Sequence, residues 1–212
     1  MSDNTLPDQA ASNPEEPKVR HRMKPGQRRE QILQTLAGML EQPGAERITT
    51  ALLASKLDVS EAALYRHFAS KAQMFEGLID FIEHSVFGLV NQIAEREGDG
   101  ATKAARMVTV LLQFGEKNPG MARVMVGDAL VFEHERLHQR MNQLFERIES
   151  ALRQVLRAAA EANKSASPTS DAQVRAAVLM AFALGQLQRF TRSGFKRSPL
   201  DHLEASLALM CR

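Results

Sequence analysis

From residue 26 onward, apolar positions recur every three or four residues, the spacing that places side chains on one face of an α-helix. Ile32, Leu33, Leu36, Met39 and Leu40 form the first stripe and predict a helix from about Gly26 to Gln42, ended by Pro43-Gly44. Between Ile48 and Lys71 the pattern shortens to two brief helices. Ser70 and Gln73 then have the spacing of a capping box and open a long helix to about Glu97. Its apolar residues, among them Met74, Phe75, Phe81, Ile82, Phe87, Leu89 and Val90, cover more than one side, so it should pack between two partners. A helix from about Ala101 ends at Gly115-Glu116-Lys117, and Asn118-Pro119 starts the next with proline in its first turn. Leu137, Met141, Leu144, Ile148, Leu152 and Leu156 predict an amphipathic helix from Glu133 to about Ala162. After a polar loop, a second capping box, Ser170 and Gln173, opens a helix from about Asp171 to Gly194, and Ser198-Pro199 opens the last one.

The short middle stretch carries the chemistry. Thr49 or Thr50 can N-cap the first of its helices, because a threonine oxygen accepts an unpaired amide of the first turn. Leu52, Leu53 and Leu57 are expected on one inward face, and Ala54 is small enough to let a second helix cross closely. Asp58-Val59 makes the turn, and Ser60 caps the second helix with Glu61 at its positive end. Leu64 and Phe68 point to the core. That leaves Ser60, Glu61, Ala62, Ala63, Tyr65, Arg66 and His67 for the other face. It has little bulk near its start and a phenol and cations at its end, the layout needed to enter a DNA major groove.

Composition narrows the class. Trp is absent and Tyr occurs once in 212 residues, and β-branched residues are sparse beside Leu, Ala, Glu and Arg, which favours an all-α fold. The net charge of +2 is unremarkable, but its distribution is not. Residues 1–24 are polar and proline-rich and are expected to be disordered. Their acidic start gives way to Lys18, Arg20, Arg22, Lys24, Arg28 and Arg29, a basic run without an intervening acid that leads into the helix pair and suits DNA phosphates. The expected organisation is a tail over 1–24, a DNA-binding head over 25–70 and a helical body over 71–212. One cysteine, Cys211, allows no internal disulfide. With no apolar run of membrane-spanning length and no basic-then-apolar leader, a cytoplasmic protein without a membrane role is expected.

His134-Glu135-Arg136-Leu137-His138 matches the zinc-hydrolase pattern H-E-x-x-H. A catalytic zinc needs a third protein ligand. The nearest downstream carboxylate, Glu146, is two turns along the same helix and too far to close a site. No metal, cofactor or enzymatic activity is therefore expected.

The run from Arg47 to Lys71, closing Leu64-Tyr65-Arg66-His67-Phe68-Ala69-Ser70-Lys71, resembles the helix-turn-helix of TetR-type transcription factors. The blocks from Arg47 to Glu83, GEKNPG at 115–120, MNQLFERIESALRQVLR at 141–157 and RF-RSGFK near 190 are also similar to the nucleoid occlusion branch of that family. That resemblance implies a homodimer on palindromic double-stranded DNA, with room for more than one dimer per site, that engages the tubulin-like division protein FtsZ. It implies a DNA-binding surface starting at Thr49 and Thr50, with Tyr65, His67 and Lys71 on phosphates. It places Phe81, Lys117 and Asn118 on the FtsZ surface. Lys117 stands where the branch more often has arginine, and Leu89 where it often has a cation. The two closing helices are expected to form half of a four-helix dimer seam. The alternative that the residues leave open is a ligand-responsive repressor with the same head.

Overall fold

The computed structural model describes residues 26–42, 47–96 and 98–211. These are helical throughout their regular parts: α1 (Gln27–Leu40), α2 (Thr50–Lys56), α3 (Glu61–Tyr65), α4 (Lys71–Glu95), α5 (Gly100–Lys117), α6 (Pro119–Met125), α7 (Glu135–Ala162), α8 (Pro168–Arg192) and α9 (Leu203–Met210). The tail over 1–24 and the Pro43-Gly44 stop lie outside the described residues.

The head is α1 to α3 packed on the start of α4. Ile32, Leu36, Met39 and Leu40 of α1 meet Leu53, Leu64, Phe68, Met74 and Phe75, all buried. Each such side chain contributes about 1.5–3 kcal/mol on removal from water. Leu52 departs from the expected inward face: it is 53% exposed, because the α2 core stripe runs through Leu53 and Ala54 instead. A helix of seven residues offers one narrow stripe, and adjacent leucines point about 100° apart.

The body is a helical bundle in which α7 and α8 form an antiparallel hairpin and α4 and α5 cover its other side. Two glycines set the closest approaches. A Cβ at Gly100 would lie 1.9 Å from the Val155 carbonyl oxygen, and one at Gly120 would lie 2.3 Å from that of Ala37. The second contact seats α6 of the body directly on α1 of the head.

Charged pairs then run along the α4–α7 seam. Lys71 meets Glu133, Glu76 meets Arg136 at 2.9 Å, and Arg140 reaches both Asp80 and Glu83, the latter at 2.7 Å. Arg147 ends the series 3.9 Å above the Phe87 ring. Hydrogen bonds to Glu83 and Asp80 push the Arg140 guanidinium above its already high ordinary range.

Three helix starts differ from expectation. Ser70 caps α4 as expected, but Gln73 returns its oxygen to the Ala69 amide, 2.8 Å away, rather than to that of Ser70. The expected Ser170–Gln173 box is internal: α8 begins three residues earlier, after Ser167, because Pro168 has the helical φ built in. Ser198-Pro199 forms a turn in which the serine oxygen accepts the Leu200 amide at 3.1 Å, and α9 starts only after His202, whose φ of 58° is left-handed.

Candidate nucleic-acid interface

Each helix of the short pair is capped by its own sequence. Thr49 Oγ1 accepts the Leu52 amide at 3.1 Å, and Ser60 Oγ accepts that of Ala63 at 3.3 Å. Asp58 takes a left-handed φ of 53° in the turn between them, which a short polar side chain tolerates better than most. Leu64 and Phe68 are sealed inward at 1% exposure each. Ser60, Glu61, Ala62, Tyr65, Arg66 and His67 are thereby left on the open side, with Ala63 half-buried.

Three of the anticipated residues form one small network. Thr50 Oγ1 donates to Glu61 Oε2 at 2.6 Å, and the Tyr65 hydroxyl donates to Thr50 Oγ1 at 3.5 Å. The start of α2 is thus tied across to both ends of α3. A cleft of about 840 Å³ opens beside it, lined by Arg28, Ser55, Asp58, Ser60, Arg66 and His67. Arg28 itself is held by Gln31 Oε1 at 2.8 Å. Lys71 leaves this group: its ammonium lies against Glu133 and 5.7 Å from the Phe75 ring.

Two arginines hold the head in ways that local spacing does not signal. Arg29 donates to the His67 carbonyl at 2.8 Å and stacks 4.0 Å over Phe68, so it fixes the end of α3. Arg47 lies 5.7 Å from the Phe132 ring of the body. Their partners lie 38 and 85 residues away in sequence, beyond the reach of any helical repeat.

The partner-side residues also converge. Phe81 is 50% exposed and therefore lies outside the core. Its ring sits 6.0 Å from that of Phe114, and Asn118 Nδ2 donates to the Phe114 carbonyl at 2.8 Å. Lys117 stands exposed beside them. Phe114 is therefore the shared floor of this surface.

The H-E-x-x-H residues occupy separate roles. His134 lies before α7 and caps it, with Nδ1 accepting the Arg136 amide at 3.2 Å. His138 Nε2 donates to the Leu130 carbonyl at 2.9 Å. The two imidazoles do not sit one turn apart on a common helix face.

A capped helix pair on α1, an open α3 face and a separate helical body define a helix-turn-helix regulator of the TetR class. Residues 32–78 match the model of the tetR family of bacterial regulatory proteins, and residues 99–212 match a tetracyclin repressor-like C-terminal domain. The chain is 49% identical over 183 residues to the nucleoid occlusion factor SlmA of Idiomarina loihiensis, covering 86% of this chain and 93% of that one. It is 50% identical over 188 residues to the SlmA of Vibrio vulnificus, covering 88% and 95%. The chain belongs to this family of SlmA nucleoid occlusion factors. Among solved structures, it is similar to the MbdR regulator from Azoarcus (TM-score 0.71, 16% identity, covering 86% of this chain and 96% of that chain). It also resembles PfmR from Thermus thermophilus (0.68, 20%, covering 85% and 97%). At these identities the likeness concerns the fold. TetR-family DNA-binding regulators act on DNA as dimers.

Proposed function

We propose that this chain is a nucleoid occlusion factor: a dimer that binds palindromic chromosomal sites and, when bound, restrains assembly of the division protein FtsZ. The observation that carries the reading is that the likeness runs through the body. About half the residues match the SlmA relatives over most of the chain, well beyond the head that all TetR proteins share. The proposed DNA surface comprises Arg28, Thr49, Thr50, Ser60, Glu61, Ala62, Ala63, Tyr65, Arg66, His67 and Lys71. The small residues at the start of α3 face bases and the polar ones at its end face phosphates. The proposed FtsZ surface is Phe81, Lys117 and Asn118 around Phe114. The proposed dimer seam is the open side of α8 and α9, where Val174, Val178 and Leu209 are 60%, 47% and 75% exposed.

The test is a titration of an FtsZ C-terminal peptide with and without a duplex selected by the wild-type chain. Coupling between two sites is typically ~1–3 kcal/mol and is reciprocal, so duplex should tighten peptide binding roughly five- to a hundredfold. Phe81→Ala should abolish peptide binding and spare DNA. Equal peptide affinity in both titrations would move the reading to a plain repressor. Release of DNA by a small ligand would identify the ligand-responsive kind.

A further inference from the structure

The loop before α7 holds two cations at once. Glu133 is paired with Lys71, the first residue of α4, and Phe132 lies under Arg47, three residues before Thr50. These cations bracket the helix pair, one on each side of it in sequence. Phe132 is 64% exposed, yet the neighbouring Glu133 side chain is only 9% exposed. A carboxylate so shielded from water depends on its counter-ion, because an unpaired charge loses hydration without replacement.

We propose that Glu133 competes with DNA phosphate for Lys71, and that this exchange reports DNA occupancy to the body. The inference rests on the reading of the head as a DNA-binding unit with Lys71 at a phosphate. When a phosphate takes the ammonium, Glu133 is left shielded and unpaired. It sits one residue before His134, the cap of α7, and three before Arg136, the partner of Glu76 on α4. Relief comes by loosening the first turn of α7 until water reaches the carboxylate. That turn begins the α4–α7 ladder, and Phe81 of the proposed FtsZ surface lies between the rungs at Asp80 and Glu83. Glu133 is thus a positioning residue that sets DNA affinity from outside the head.

A double-mutant cycle on the full chain tests this, read by binding to the selected duplex across a salt series. Glu133→Gln frees Lys71 and should tighten binding roughly two- to fivefold, the range of one part-exposed ion pair. Its log–log salt slope should steepen by up to about 0.9, since no carboxylate is left to recruit a cation. In a Lys71→Gln background the same change should do nothing. A gain that persists there, or a folded Glu133→Gln that binds no more tightly, overturns the proposal. If Glu133→Gln fails to fold, hydrogen exchange in the wild type decides: amides 135–138 should exchange faster on the duplex, and unchanged or slower exchange overturns it. Wild-type binding in the same series separates the two levels. If the wild type binds no duplex, the DNA-binding reading fails; if it binds and the cycle is flat, only the exchange fails.

Discussion

Tyr65 and Thr49 do different work although both lie on the open side of the helix pair. Thr49 spends its oxygen on the Leu52 amide, so Thr49→Ala loses a cap worth about 1 kcal/mol as well as any phosphate contact. Tyr65 is 45% exposed, and among the described residues its hydroxyl bonds to Thr50 Oγ1. Tyr65→Ala should therefore leave the melting temperature nearly unchanged while weakening duplex binding. Parallel thermal melts and binding curves distinguish the two, and a Tyr65→Ala chain that binds like the wild type removes that residue from the interface. Gly120 is a residue-scale constraint of another kind. Gly120→Ala pushes a methyl against the Ala37 carbonyl, a backbone atom that no rotamer change moves. A loss of about 1–3 kcal/mol in denaturant titrations is expected, with α6 displaced from α1.

Among the elements, α5 shows how a helix end responds to pH. Asp99 caps it, and hydrogen bonds from the Thr102 hydroxyl and amide hold its carboxyl below the usual carboxylate range. A lowered folded pKa means the unfolded chain binds the proton more readily. The stabilisation is therefore present above the unfolded value of about 3.9 and lost as pH falls through the folded one. Asp99→Ala should cost about 1 kcal/mol at neutral pH. Its deficit relative to wild type should shrink in denaturation series taken below about pH 4. Cys211 is the opposite case: burial pushes its thiol up, so it remains a neutral thiol at physiological pH.

At the scale of the whole molecule, the proposed dimer seam and the proposed role of the tail can each be tested. Val174 and Val178 lie one turn apart on α8, exposed beside small residues. Val178→Glu should convert a dimer to monomers in analytical ultracentrifugation and remove tight binding to a palindromic duplex, since two linked heads bind far better than one. The tail is proposed to bring its basic run to the DNA phosphates. Deleting residues 1–24 should flatten the salt dependence of duplex binding by about 0.9 in log–log slope for each phosphate that the tail had neutralised. An unchanged slope would place the tail off the DNA.

The sequence alone determined what depends on near neighbours along the chain. Apolar spacing located every long helix, and Thr49, Ser60 and Ser70 capped the helices they were expected to cap, because caps act within three residues. The family was legible for the same reason: its marks, from Leu64 to Lys71, are local. Where two local signals competed, the pattern misled. Pro168 overrode the Ser170–Gln173 spacing, and a seven-residue α2 turned Leu52 outward. Tertiary structure decided the rest. Whether Phe81 was core depended on what α5 left uncovered. Arg29 found His67 only once α1 had packed on α3, and Arg47 found Phe132 and Lys71 found Glu133 only once the loop before α7 had met the head. Side-chain pairs that stitch distant segments are set by packing geometry, which no spacing along the chain encodes.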